Sequence, residues 1–338
     1  MKKIINICFN HNNGGLSLDA DIIGSLLEKS GYWVWYNSFP MNFRRLSKRR
    51  LKIANVFASI FLRALTIFKF VGVKPVLLAI HLEQIKKKQV SLSRKNIFIA
   101  NLEWLMDETY NLFDSIDMFV CKTKDAMRFC ESKGLTAFYT SFSTISVFNE
   151  AYPQEINTFV HIAGNSHAKG TVPLMEVWKR HPEWPMLKVI SRFTEHLNGL
   201  AADNISVLGG YLDFDDLNAI QNSSEVHVCT SEAEGFGHYI CEPLSCGAIV
   251  ITVNGYPMNE LVHPDRGVLV NVKSSEPMRY SQKFLFDKVD LEKKVELVLS
   301  MPRLERAELK QNAKDYYVRN NAFFERNMLE AIEKTISL

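Results

Sequence analysis

Short apolar runs alternate with amphipathic stretches along most of this chain. Runs at 4–9, 32–36, 76–80, 96–100 and 118–121 predict buried strands in its first part. Between the first two, residues 18–30 place Ile22, Ile23, Leu26 and Leu27 on one helical face, with Gly31 as the stop. The pattern restarts after 157, with strands at 158–163, 186–190, 205–208, 226–229 and 248–253 and helices at 172–179, 213–221 and 238–246. Three closing helices are predicted near 287–300, 303–317 and 322–337. In the last, Phe324, Met328, Ile332 and Ile336 recur at every fourth position, so one stripe must be covered. Alternation of this kind predicts an α/β protein with mostly parallel sheets. Its two runs predict two α/β domains in series, joined near 145–156, with a ligand in the crevice at the strands' carboxyl ends.

The length of 338 residues suits two cores better than one. Apolar content of 47% and charged content of 23% are those of an ordinary soluble protein, and a net charge of +3 is too small to make nucleic acid the main partner. Cysteines 8, 121, 130, 229, 241 and 246 lack paired or metal-like spacing and read as the reduced thiols of a cytosolic protein. The opening Met1–Asn10 suits a buried strand rather than a secretory signal. The apolar stretch 51–80 is broken by Lys52, Arg63, Lys69 and Lys74, which leaves no bilayer span. Residues 44–52 hold six basic side chains in nine. They form either a solvated surface or, with the partly amphipathic stretch that follows, a contact of residues 44–71 with an anionic membrane. No Cys-x-x-Cys, His-x-x-x-His, acidic loop, Gly-x-Ser-x-Gly or Walker loop occurs, so no metal site is expected.

The chemistry concentrates in residues 231–247. Glu234 ends an apolar strand, Gly235-Phe236-Gly237 makes a tight turn, and Glu242 follows one turn into a helix. Two carboxylates and the first amides of a helix then surround one small volume. Carboxylates accept hydroxyl hydrogen bonds and helix N-termini favour phosphate, so a sugar with a phosphate leaving group fits.

This stretch closes an ordered set of motifs that resembles the retaining, GT-B fold glycosyltransferases of family 4. The set runs from His161-Ile-Ala-Gly-Asn-Ser-His-Ala-Lys-Gly170 through Asn204–Gly209 and Val226–Ser231 to Glu234-Gly-Phe-Gly and Glu242-Pro-Leu-Ser-Cys-Gly247. Residues 255–262 and 267–270 complete it. The resemblance implies a GT-B architecture of two Rossmann-like domains facing a central cleft, with the C-terminal helix returning to the first domain. It implies a catalytic Glu234 beside the donor sugar, Glu242 on the ribose, and donor contacts from Gly164, Asn165, Leu212 and Gly235. Phe236 and Gly237 would offer backbone N–H groups to sugar or phosphate. Lys169 becomes the cation that neutralises the departing phosphate without a metal; otherwise it is an exposed loop lysine. The family's arginine before this lysine is absent, since Asn165, Ser166 and His167 stand there. Either Arg192 supplies the second cation or the donor carries one phosphate.

The first part resembles the family less closely. Asn13–Asp21 is similar to the glycine loop and first helix of related bacterial enzymes, which puts Gly14, Gly15 and Asp19 on the acceptor side. Asp19 and Asp21 equally suit a helix N-terminal turn. His81 and Glu83 follow one strand; Asn101, Glu103 and Trp104 follow the next, where many members carry a histidine. Glu103 is assigned as the catalytic group that orients an acceptor hydroxyl and Trp104 as a stacking surface, against simple packing for both. Lys122 and Lys124 are weaker candidates.

The expected domains are 1–148 for the acceptor, 149–318 for the donor, and 319–338 as the returning helix. The expected reaction is retaining transfer from a UDP- or GDP-hexose to a glycan or lipid-linked glycan in lipopolysaccharide or capsule synthesis. The nucleotide sugar is a substrate, so no cofactor is expected. The location is the cytoplasm, peripheral to the membrane's inner face. Two rivals stand beside this reading: a nucleotide-sugar epimerase of the same fold, and a non-catalytic scaffold favoured by the missing arginine.

Overall fold

The computed structural model describes residues 3–11, 14–39, 74–210 and 212–338. The proposed membrane contact, residues 44–71, and Asn13 of the glycine loop lie outside these. The chain forms two compact units, one of residues 1–143 with 323–338 and one of 144–322.

In the first unit, β1 (Ile4–Asn10), β2 (Trp33–Phe39), β3 (Val76–Leu82), β4 (Ser93–Ile99), β5 (Met118–Cys121) and β6 (Ala137–Tyr139) make one parallel sheet in the order β2-β1-β3-β4-β5-β6. Ile5, Ile7, Leu78, Ile80 and Ile97 are fully buried. Such near-continuous apolar strands are what a parallel sheet covered on both faces requires. Helix α1 (Gly15–Lys29) connects β1 to β2 and begins three residues before the expected start. Gly14 is its N-cap, without a side-chain cap, and no acid lies in its first turn. Asp19 and Asp21 therefore do not cap. Helix α2 (Lys124–Ser132), capped by Thr123 Oγ1 accepting from Ala126 N at 3.0 Å, was not expected from the apolar pattern because it buries only Ala126 and Cys130.

In the second unit, β7 (Glu155–Gly164), β8 (Leu187–Ser191), β9 (Ile205–Gly209), β10 (Ser224–Cys229), β11 (Ile249–Val253) and β12 (Val268–Val270) form a parallel sheet ordered β12-β11-β10-β7-β8-β9. The crossovers carry α3 (Thr171–Lys179), α4 (Phe214–Ser223) and α5 (His238–Cys246); α6 (Lys288–Ser300) follows the sheet. The connection direction reverses between β7 and β10, the position at which doubly wound sheets open a ligand crevice beyond the strand ends. An antiparallel hairpin, β13 (Val272–Met278) with β14 (Ser281–Phe286), escaped the sequence because β13 is largely exposed. Phe284 anchors it: its N–H donates to Glu232 O at 2.7 Å and its ring meets Tyr256 at 4.8 Å.

One helix, α7 (Arg303–Ser337), replaces the two expected at 303–317 and 322–337. The intervening Val318-Arg-Asn-Asn321 is polar but holds no glycine or proline, so nothing breaks the backbone ladder. Its last part belongs to the first unit. There Phe324, Met328 and Ile332 are buried, and Phe324 packs on Phe142 with ring centroids 4.7 Å apart. Each such burial contributes about 1.5–3 kcal/mol. All six cysteines are free and buried. Among the described residues no helix is long and apolar enough to cross a membrane.

Candidate functional site

The second unit assembles its site at the reversal between β7 and β10. Strand β7 ends on Gly164 at φ +58°, and the short turn after it reaches Gly170 at φ +66°. A Cβ on Gly170 would lie 2.4 Å from the Thr230 carbonyl oxygen, so only glycine lets this loop press on the end of β10. Two hydrogen bonds fasten the contact: Thr230 Oγ1 donates to Lys169 O at 2.9 Å, and Glu232 N–H donates to Ala168 O at 2.9 Å.

That fastening brings the Lys169 ammonium onto the Glu234 carboxylate in a direct ion pair. Ser231 Oγ donates to the same Glu234 Oε1 at 2.5 Å. The Lys169 Nζ also stands 3.7 Å from the centroid of the Tyr239 ring. Tyr239 Oη accepts from Ser231 N–H at 3.1 Å, and the Tyr239 and Ser231 hydroxyls share a 2.9 Å hydrogen bond. The Lys169 and Glu234 side chains keep only 16% and 14% of their exposure, so their attraction is far less screened than at an open surface. Burial, with Cys229 and Glu234 nearby, pushes the Tyr239 phenol well above its ordinary value and keeps it neutral.

Helix α5 starts at this spot. Its N-cap is Gly237 at φ +111°, with no side-chain cap, and a helix start leaves its first N–H groups without intrahelical acceptors. Pro243 cannot donate back to the Tyr239 carbonyl, which instead accepts the Cys229 thiol at 3.6 Å. Glu242 is held separately, its Oε2 accepting from Gln221 Nε2 at 2.8 Å. Burial raises the Glu242 pKa, while His238, Gln221 and Lys169 draw it back.

The remaining donor candidates differ in burial. Gly235 is half-buried and Phe236 fully so; Leu212 is half-buried just before α4. Asn165 and Arg192 are exposed, the Arg192 N–H donating to Gly164 O at 2.9 Å. His161 is fully buried: Nδ1–H donates to Val228 O at 2.7 Å and Nε2 accepts from Thr171 Oγ1 at 2.9 Å. Burial lowers its pKa to about 4, so it is a neutral brace between β7, β10 and α3. Ser231 and Tyr239 escaped the sequence reading, although both lie inside the stretch it singled out. Neither is an ionised group, and only the fold shows what they touch.

In the first unit, Asp19 and Lys122 form a buried ion pair, Oδ2 to Nζ 3.0 Å. Glu83, at φ +64°, accepts from Asn101 Nδ2 at 3.2 Å; burial raises its pKa, and Asn101 and Lys122 oppose the rise. His81 does not follow its strand but belongs to β3, where it is wholly buried. Its Nε2 shares a 3.2 Å hydrogen bond with Asn96 Oδ1 and burial lowers its pKa to about 4, so an acceptor cannot reach it without unpacking the sheet. Glu103 is buried in the turn Leu102–Trp104 while Trp104 is 53% exposed. Gly14 and Gly15 are exposed at the head of α1. The one grouping of metal-competent side chains among the described residues is His181, Glu183 and Glu296, with ligand atoms within 4.8 Å of one another, and none of the three belongs to the motifs above.

Comparison with known proteins adds the following. A family model described as glycosyl transferases group 1 matches residues 126–316. No curated protein matches the chain by sequence. The sucrose-phosphate synthase of Thermosynechococcus elongatus superposes with a TM-score of 0.72 at 13% identity, over 99% of this chain and 100% of that one. WaaG, a glycosyltransferase involved in lipopolysaccharide biosynthesis, gives 0.60 at 14% identity, over 98% and 99%. The pneumococcal O-GlcNAc transferase GtfA, in complex with UDP and GlcNAc, gives 0.58 at 17% identity over 82% of this chain; the chain spans only 59% of that protein. At these identities the likeness is one of fold.

Proposed function

The chain belongs to the glycosyl transferases group 1 family, and from that premise we propose that it transfers a sugar from a nucleotide-sugar donor to a glycan hydroxyl with retention at the anomeric carbon. One observation carries the reading: Lys169 and Glu234, from the turns that follow the two strands flanking the sheet reversal, meet beside the start of α5. A cation suits the phosphate that leaves and a carboxylate suits the sugar's hydroxyls.

In the reaction the anomeric carbon–oxygen bond breaks and its electron pair departs on the phosphate oxygen. Lys169 and the first amides of α5 offset that growing charge, the donors being fixed before the reaction begins. Glu234 takes sugar hydroxyl hydrogens and steadies the oxocarbenium-like centre. Glu242 takes the ribose hydroxyls. The acceptor oxygen then bonds the anomeric carbon and passes its proton to the departing phosphate oxygen, with Glu103 orienting it and Trp104 against a sugar face. No cofactor enters. The acceptor we favour is a lipid-linked or free glycan of a surface polysaccharide, made at the inner face of the membrane; a fold neighbour in lipopolysaccharide biosynthesis and the basic residues 44–52 support this.

A thermal-shift screen of nucleotides and UDP- and GDP-sugars tests the reading. A ligand at 100 times its Kd adds about 2.7 kcal/mol of stability, and Glu234→Ala is expected to abolish the sugar-dependent part. If no nucleotide or nucleotide sugar stabilises the protein, the donor assignment fails. Epimerised donor in the absence of any acceptor would replace transfer with epimerisation.

A further inference from the structure

The second unit holds a cavity of about 600 Å³ at the opposite end of α5 from the Lys169–Glu234 pair. One wall is a stripe of α7 on which Arg303, Arg306, Lys310 and Lys314 follow one another at helical spacing; Gln154, Ile156, Gly247 and Met301 form much of the rest. Four cations thus face a single lining carboxylate, Glu225. That carboxylate is already saturated: Arg306 Nη1 donates at 2.7 Å, Asn157 N–H at 2.9 Å and Lys310 Nζ at 3.1 Å. Arg306 is spent as well, its other N–H groups going to the Met301, Val298 and Leu299 carbonyls and to Asn157. One carboxylate offsets one of the four cations, so the lining keeps a net positive charge, carried in part by Arg303, which is exposed, and by Lys314, whose Nζ stands 4.7 Å from the centroid of the Phe148 ring.

We propose that this cavity binds a small phosphorylated ligand, a sugar phosphate or nucleotide, apart from the donor. Its volume lies in the range of small-molecule pockets and is far too large for a lone inorganic ion. Its charge requires an anion, and its amide and apolar walls suit the ring that carries the phosphate. The site also touches the donor helix. The Lys314 side chain lies against Gly247, where a Cβ would sit 2.4 Å from its Cε, and Gln154 Nε2 donates to the Cys246 and Gly247 carbonyls that end α5. A phosphate that draws Lys314 away loosens the C-terminal cap of the helix whose N-terminus faces the Lys169–Glu234 pair.

Glucose 1-phosphate is the probe, titrated by calorimetry into Lys169→Gln protein so that the donor site's cation is gone. Saturable binding is expected, weakened at least about tenfold when Arg303→Gln and Lys314→Met are added, since each removes a charged hydrogen-bond donor. Methionine keeps the chain over Gly247, and Arg303→Gln alone changes only an exposed side chain, so a decisive variant remains if the double change unfolds. Equal affinity with and without these changes, or no binding to the Lys169→Gln protein, overturns the proposal. Vesicles bearing anionic phospholipid form the second arm: binding to them that is lost in Arg303→Gln, with none to soluble glucose 1-phosphate, would assign the cavity to a lipid headgroup and reject a soluble ligand. The outcome is independent of whether the donor assignment holds.

Discussion

Lys169 and Glu234 neutralise one another, and the Tyr239 ring centroid lies 3.7 Å from the ammonium. In the proposed reaction a donor separates them, offering phosphate to one and hydroxyls to the other, so a ligand with both groups is expected to bind better than either part alone. Lys169→Ala is expected to lower kcat/KM by about 10²–10³, the scale of losing one fixed oxyanion donor, and to lower the melting temperature as well, because the Glu234 carboxylate then keeps its shielded place without a counter-ion. Tyr239→Phe keeps the ring beneath the ammonium and loses only the hydroxyl link to Ser231; Tyr239→Leu loses both. Steady-state kinetics should rank the leucine variant well below the phenylalanine one, because the ring contact contributes about 0.5–2 kcal/mol. Equal rates in the two variants would mean that the ring does not position Lys169.

At the scale of elements, the site depends on how closely the turn after β7 approaches the end of β10. Gly170 and Gly210 both sit at positive φ, +66° and +89°. An added Cβ meets the Thr230 carbonyl at Gly170 and nothing within 4 Å at Gly210. Gly210→Ala should therefore cost only the backbone term, about 1–2 kcal/mol, whereas Gly170→Ala should cost clearly more and reduce donor binding too. Urea unfolding of both variants measures the difference. Helix α5 is a second example. Its glycine N-cap, its proline and its left-handed Gly247 C-cap were all visible as residues, but the Cys229 thiol that serves the carbonyl left free by Pro243 was not.

Across the whole molecule, each unit contains histidines buried in neutral form: His81 in the first, His161 and His227 in the second, each with a pKa lowered to about 4. An unfolded histidine titrates near 6.5. Between these values the unfolded chain binds more protons, so stability is full above about 6.5 and falls as the pH drops towards 4. From pH 7 to pH 5 each histidine is expected to remove about 2 kcal/mol. Denaturant unfolding at the two pH values, with His227→Gln as the comparison, should show a smaller pH dependence in the variant. The sequence by itself determined the alternation of strand and helix, and the stripe Phe324–Met328–Ile332, because burying apolar side chains imposes a period that the chain must display. It also singled out Glu234 beside its glycine turn and Glu242 one turn into a helix, and the resemblance of the ordered motifs added Lys169. Only the tertiary structure decided that Lys169 pairs with Glu234 over Tyr239, that His81 is sealed inside a sheet, and that a basic stripe of α7 borders a cavity. Those relations join residues far apart in the chain, and no local period records which strands a fold lays side by side.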